Sequence, residues 1–388
     1  MFTHYSLLTT HYLLLTKYMG ILSNKSSDAN YIGIDIGGSS IKAVELANNN
    51  GRAQLVTYGY LERSLSEDKT KLIDQPEKTA EMIKKVIEKS KIISKRVITA
   101  LPAQAVYTSI ISLPEIEKKD LGSAKKIAEA VEWEAKKVLP LPIEEMILDW
   151  KILEDEEKLK ETIKDEENKK VVDLQVLLTA ASKEVVGKYI EIFKKAGLEL
   201  LSLETESFAM ARSLVGKDKS LILIADIGAG ATDICVVENA IPLMTRSVNI
   251  GGLEITKEIK DTLKVNLSQA EQFKRDLESN STNLSGQEDL PEVIKKPLQA
   301  IINEIQYSIN FYLEQPSNKG KKFEKIILSG GTANLFNLTK IITNELKVRT
   351  FVGNPWARVI YPQDLQPTLD VAGTRLASAI GLAMRNIE

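Results

Sequence analysis

Two aspartates stand at the mouths of two glycine-rich turns: Asp35 in DIGGSSIKAVEL, Asp35 to Leu46, and Asp226 in DIGAGATDICVVE, Asp226 to Glu238. Gly37, Gly38, Gly228 and Gly230 lack a Cβ, so backbone N–H groups, with that of Ala229 among them, can approach an anion without collision. Ser39, Ser40 and Thr232 add hydroxyl donors, and Lys42 offers phosphates a point charge. A carboxylate at the end of an apolar strand is costly unless it meets water or a cation. Asp35 and Asp226 are therefore candidates for a divalent metal that bridges phosphates. The chemistry is that of a nucleotide site. One copy alone reads equally well as an ordinary hairpin turn, and the repetition is what argues against that reading.

Each turn needs a rigid support on both sides. The apolar runs Tyr31 to Ile34 and Leu221 to Ala225 lead into the turns and apolar strands follow them, so each motif is a strand, turn, strand unit. Two such units imply two related lobes that face one another and clamp phosphates between their turns. A third element, FEKIILSGG from Phe323 to Gly331, is a β-branched strand that ends in Gly330 and Gly331, with Thr332 opening what looks like a helix. Those glycines allow a flat ring or a ribose to lie against the backbone.

The rest of the chain removes competing chemistries. With 51 Lys and Arg against 53 Asp and Glu, the net charge of −2 leaves no basic excess for nucleic acid. The one cysteine, Cys235, lies in an apolar strand and reads as a small buried hydrophobe, which excludes a disulfide or zinc framework and favours the cytosol. Both histidines, His4 and His11, fall in the first thirty residues, so the body holds no histidine triad. That leader has no basic start and no small-residue cleavage site. Residues 1–29 read as a disordered or artefactual extension with a working start at Met19, an amphipathic membrane anchor being the alternative.

Between the turns, Lys71 to Ser94 has helical spacing, and Arg96 to Leu101 is a buried strand stopped by Pro102. A strand (Val106 to Leu113), a helix (Asp120 to Val138), two strands (Ile147 to Leu153 and Val171 to Ala180) and a helix (Ser182 to Ala196, capped by Gly197) then compose an α+β insert. The charge run Glu154 to Lys170 reads as a solvated hairpin loop.

The order DIGG, DIGAG, SGG resembles the actin, heat-shock chaperone and sugar-kinase superfamily, whose members share a two-lobed, ribonuclease H-like α/β fold and bind ATP with Mg²⁺. An α+β subdomain in this position resembles the FtsA and PilM branch. LPAQAVYTSIISLPEI, AVEWEAKKVLPLPIEEMILDWKIL, LLTAASKEVVGKYIEIFKKAGLEL and SVNIGGLEITKEIKDTLKVNLSQAEQFKRDL resemble the PilM family of type IV pilus assembly proteins in particular. The resemblance runs from Tyr31 to the C-terminus. It implies a first lobe at 30–101, the insert at 102–197, a connector at 198–215, a second lobe at 216–256 and 323–370, a helical subdomain at 257–322, and a helix at 371–388 returning to the first lobe. FtsA proteins carry a linker and a membrane-binding amphipathic helix at their C-terminus. Here GLAMRNIE follows directly on a core-type helix near Val371, rich in Ala372, Gly373, Ala377, Ala379 and Ala383, which leaves no room for such a tail.

The resemblance also assigns roles. Asp35 and Asp226 match the metal and phosphate aspartates, Lys42 the phosphate-contacting lysine, and Gly330 with Gly331 the adenosine site. Gly251 and Gly252 match the pair that opens a helix near the nucleoside. Glu271 and Lys274 resemble the pair approaching ribose and adenine, although by spacing alone they are equally a surface i, i+3 ion pair. Glu206, in the connector LETESFAMARSL, lines up with the water-orienting glutamate of bacterial actins and is the catalytic candidate. Ala229 and Asp233 stand where actin has an acidic residue and a histidine, so binding is implied more firmly than turnover.

A PilM-like protein would be an ATP-binding scaffold that holds the cytosolic N-terminal tail of PilN, with PilO and the assembly ATPase nearby and self-association left open. It would act at the inner face of the cytoplasmic membrane, its nucleotide state setting the partner groove. The alternatives are a small-molecule kinase on the same fold, for which the expected sugar-binding loops are missing, and an FtsA-like division protein.

Overall fold

The structure, a computed structural model, describes residues 30–63, 70–117, 121, 123–153, 171–279 and 291–387. The leader 1–29 and the charge run Glu154 to Lys170 lie outside them.

Strands β1 (Tyr31–Ile36), β2 (Ser40–Asn49) and β3 (Arg52–Glu62) form an antiparallel meander. Helix α1 (Pro76–Lys89) follows and buries Ala80, Met82, Ile83 and Val86. It starts later than spacing alone suggests, because Pro76 suits the first helical position, where its missing N–H would have no partner anyway. Strand β4 (Arg96–Leu101) then pairs parallel with β1. The next elements are β5 (Val106–Glu117), α2 (Ala124–Val138), β6 (Met146–Ile152), β7 (Val171–Ser182) and α3 (Lys183–Ala196). The chain continues through β8 (Glu199–Thr205), α4 (Glu206–Met210) and a π turn, Ala211–Val215. The meander β9 (Ile222–Ile227), β10 (Thr232–Glu238) and β11 (Ile241–Val248) leads to helices α5 (Gly252–Leu263), α6 (Leu267–Ser279) and α7 (Glu292–Leu313). Last come β12 (Lys325–Ser329), α8 (Leu338–Leu346), β13 (Thr350–Val352), β14 (Val359–Ile360) and α9 (Gln366–Met384).

The chain divides into two compact units. One is Gln104–Tyr189; the other is built from described residues up to Ala103 and from Ile190 onward. In the first, the antiparallel sheet β5-β7-β6 is covered by α2, whose Ile127, Val131 and Ala135 meet Leu113, Leu174, Val176 and Leu178. Ser123 caps α2 by accepting from the Lys126 N–H at 3.4 Å.

The second unit contains the duplication. One sheet runs β14-β3-β2-β1-β4-β8 and the other β11-β10-β9-β12-β13. Each contains an antiparallel meander whose first strand takes a parallel neighbour on its far side, β4 beside β1 and β12 beside β9. The repeated phrase is therefore a repeated topology. Helix α9 lies against β1 and β2, and its small residues permit backbone contact. A Cβ on Gly33 would lie 1.9 Å from the Ala379 carbonyl oxygen, and one on Gly381 would lie 1.9 Å from that of Ala209. After Gly331 the chain makes a 3-10 turn, Gly331–Asn334, before α8 begins. Asn337 just ahead of α8 is left-handed (φ 57°), so no continuous helix can run from Thr332.

Candidate functional site

Cross-strand register brings the chemistry together. In the first hairpin Asp35 lies opposite Lys42; at the same place in the second, Asp226 lies opposite Asp233. Directly opposed side chains share a face of the sheet. The first pair closes as an ion pair, Lys42 Nζ to Asp35 Oδ2 at 2.7 Å, and the second opposes two carboxylates. The turns are alike in detail: the Gly37 N–H donates to Ser40 O at 3.0 Å and the Gly228 N–H to Ala231 O at 2.9 Å. Glu206, the first residue of α4, joins from the connector. Thr205 caps that helix, its hydroxyl accepting from the Phe208 N–H at 3.3 Å, and the Ala103 N–H donates to Glu206 Oε2 at 3.4 Å.

Four carboxylates thus feel one another, and three of them, Asp35, Asp226 and Glu206, also feel Lys42. Burial, then Asp233, Asp35 and Asp226, push Glu206 well above the usual carboxylate range, with Lys42 pulling it back. Burial also raises Asp226, against Lys42 and a hydrogen bond from Ser329. Burial disfavours the Lys42 charge, yet Asp35 and Asp226 outweigh it and hold the ammonium above its usual value. Asp233 is pushed up to about 6, by burial first and by Asp226 and Asp35 next, while Ser247 opposes the rise.

A carboxyl group held above its unfolded value is stabilised in its protonated form. Its contribution to stability is full below the ordinary Asp range near 4 and is lost as pH rises through about 6. Asp233→Asn is therefore expected to stabilise the protein at pH 7, on the order of 2 kcal/mol. It should also flatten the stability profile between about pH 4 and 6. Urea unfolding across that range measures both; an unchanged midpoint at pH 7 would show that burial and its neighbours do not hold Asp233 above its ordinary value.

The cleft beside these groups is lined by Ser39, Ser40, Lys42, Asp226, Gly228, Ala229, Glu271, Lys274, Gly330 and Gly331, all expected from the sequence. The cleft has a cavity volume of about 130 Å³. Glu271 and Lys274 form no loose surface pair. The Lys274 ammonium is buried and donates to Glu271 Oε2 (2.7 Å), Thr256 Oγ1 (2.9 Å) and Gly252 O (3.2 Å).

Other expected residues brace the cleft without lining it. Thr232 donates its hydroxyl to Ile250 O at 2.7 Å. The Gly252 and Leu253 N–H groups at the start of α5 donate to the carbonyls of Gly228 and Ala229, and a Cβ on Gly251 would lie 2.6 Å from Gly228 O. Those two donors of the helix end hold the second turn in place. Gly330 has φ +86°, and a Cβ there would lie 2.4 Å from Ile227 O, so only glycine fits. Asp35, Gly37, Gly38, Gly230, Thr332 and Glu206 lie behind or beside the lining, where Asp35 acts through Lys42.

Tyr60, Glu62, Arg63, Leu253, Arg275 and Arg375 also line the cleft, and sequence reading passed over them. Glu62 enters because the β2/β3 register sets it opposite Ser40. A signal for Arg275 did exist, since it stands four residues after Glu271 on one helix face. Nothing local marks Arg375.

A family model described as type IV pilus assembly protein PilM matches residues 33–387. The chain belongs to the PilM family. A solved structure described as a PilM-PilN type IV pilus biogenesis complex is similar over 92% of this chain and 98% of that one, with 26% identity and a TM-score of 0.74. The ethanolamine utilization protein EutJ of Carboxydothermus hydrogenoformans shares the fold, at 18% identity and a TM-score of 0.50 over 92% of this chain and 89% of its own. The cell division protein FtsA of Bacillus subtilis (strain 168) is 29% identical over 108 residues, 27% of this chain. This chain spans only 24% of that relative's length. The fold is thus the actin-like one expected, and the pilus-assembly family is favoured over the division protein.

Proposed function

We propose that this PilM-family chain is an ATP-binding scaffold of the type IV pilus assembly machinery whose partner is the N-terminal tail of PilN. The observation that carries the partner is the similarity, over nearly the whole of both chains, to a structure described as a PilM-PilN complex. PilO and the assembly ATPase would be neighbours in that machinery. The site of action is the inner face of the cytoplasmic membrane, reached through partners. No helix among the described residues is long and apolar enough to cross a membrane.

The cleft supports the nucleotide reading. Ser39, Ser40, Gly228 and Ala229 would meet phosphates from both turns, Lys42 would neutralise them, and Glu271 and Lys274 would face the nucleoside beside Gly330 and Gly331. Mg²⁺ fits the residues present. Asp233 Oδ1 is buried without a hydrogen-bond partner, and the charge of Asp35 disfavours that of Asp226 while both disfavour that of Asp233, a repulsion a cation would relieve. Among the described residues no three acidic, histidine or cysteine side chains form a ready cage. Mg²⁺ needs none, because it keeps several waters and uses one or two carboxylates plus phosphate oxygens. Asp35 and Asp226 would hold it, and its charge would offset that of the phosphates.

Glu206 is positioned by α4 to order a water, and burial with the neighbouring carboxylates holds its pKa well above the usual carboxylate range. Ala229 and Asp233 stand where actin has an acidic residue and a histidine, so turnover would be slow at most. Partner binding would respond to the nucleotide through the connector that contains this residue.

Thermal melts test the reading. ATP with Mg²⁺ at a hundredfold excess over its Kd should add about 2.7 kcal/mol, and a PilN-tail peptide should add its own increment. Asp226→Ala should lose the Mg²⁺-dependent part while remaining folded. No response to ATP would remove the nucleotide, no response to the peptide would remove PilN, and rapid ADP formation only with an added sugar would restore the kinase alternative.

A further inference from the structure

A chain of charges runs along the lining of the cleft. Arg375 on α9 donates through Nη1 to Glu62 Oε1 at 3.1 Å. Arg275 on α6 donates through Nη2 to Glu62 Oε2 at 2.8 Å and through Nε to Glu271 Oε1 at 3.3 Å. Glu271 in turn holds Lys274 at 2.7 Å. The chain joins three elements that have no other reason to share a carboxylate. Glu62 ends β3 beside Ser40 of the first turn, and the neighbouring Arg63 N–H donates to Ser39 O at 2.7 Å. Arg375 lies along Gly331, its Nε 3.6 Å from where a Cβ would stand. Arg275 belongs to the helix that carries Glu271 and Lys274.

We infer that Glu62 is a positioning residue that straps the cleft shut, holding Arg275 and Arg375 along its lining so that a nucleotide leaves only when the Glu62 to Arg275 contact breaks. This rests on the nucleotide reading above. The geometry favours a strap over an ornamental surface pair because both oxygens of one carboxylate are used, each by an arginine from a different helix, and all three residues line the cleft. Glu62 and Arg275 are 38% exposed, so the strap is weak enough to open on its own and is screened by salt.

The test follows release of a fluorescent ATP analogue from the full chain, with Mg²⁺, after addition of excess unlabelled ATP. Glu62→Gln and Arg275→Gln should each speed release about fivefold, the scale of an exposed ion-pair network, and should remove its dependence on salt. The double variant should be no faster than either single one, since both break the same contact. Glu77→Gln, which breaks the remote and more exposed Lys195 to Glu77 pair, should leave release unchanged. Wild-type release rates in Glu62→Gln, or effects that multiply in the double variant, would overturn the inference.

Amide hydrogen exchange of the ligand-free protein separates the two ideas. Faster exchange at the ends of β3 and α6 in Glu62→Gln supports the strap whether or not a nucleotide binds, and unchanged exchange rejects it. Failure of wild-type protein to bind the analogue would instead overturn the nucleotide reading and the gating role that depends on it.

Discussion

Lys42→Met is expected to destabilise the protein by about 2–3 kcal/mol and to abolish its stabilisation by ATP with Mg²⁺. Removing one partner of a buried ion pair costs about 3–5 kcal/mol because it strands the other charge. Lys42 keeps 21% of its side chain accessible inside the cleft, which brings the figure to the lower end. The loss should depend on pH. Lys42 lowers the pKa of Asp226 and Glu206, so without it those carboxyls hold their protons to higher pH, and the folded state is penalised more as they are forced to ionise. The deficit should therefore be smaller at pH 5 than at pH 8. Urea unfolding at the two pH values measures it, and Lys42→Arg, which keeps the charge, should recover most of the stability. An equal loss at both values, or none, would mean that Lys42 does not balance the cluster.

Gly381→Ala should be as damaging for a different reason. Its Cβ would stand 1.9 Å from the Ala209 carbonyl oxygen and 2.5 Å from the Ala209 carbonyl carbon, backbone atoms that cannot swing aside. Either α9 or α4 must move, at about 3 kcal/mol, the upper end of ordinary overpacking. Displacing α4 also displaces Glu206 and the neighbouring Arg212, which binds Gly381 O at 2.6 Å and Glu204 at 2.8 Å. The urea midpoint should fall sharply. Gly38→Ala and Gly230→Ala are the controls: a Cβ at either meets nothing within 4 Å, so both should keep wild-type stability. A normal midpoint for Gly381→Ala would show that the helices are not in backbone contact.

The contrast between these glycines shows what was legible. DIGG and DIGAG are local motifs, and the strands on either side announce themselves by apolar runs, so the two hairpins and the strand that ends before Gly330 could be placed from their residues alone. The α+β insert was legible for the same reason, since α2 and the three strands each have a clear period. The roles of the glycines were less accessible. Gly251 reads as a nucleoside contact in the sequence, and only the fold shows that it also packs against the second turn, where a Cβ would lie 2.6 Å from Gly228 O. Asp233 stands seven residues after Asp226 just as Lys42 stands seven after Asp35, and the sequence shows the spacing without showing that β10 turns Asp233 back onto Asp226.

By itself the sequence determined the elements, their duplication, the family and the residue types offered to a nucleotide, because short-range periodicity and turn chemistry act over a few residues. Tertiary structure decided the energies of the site. Four carboxylates from β1, α4, β9 and β10 converge, three of them on one lysine, and Glu62, Arg275 and Arg375, far apart in the chain, share a salt-bridge network along the cleft. Such couplings depend on distance and burial in space, and no separation along a chain encodes either.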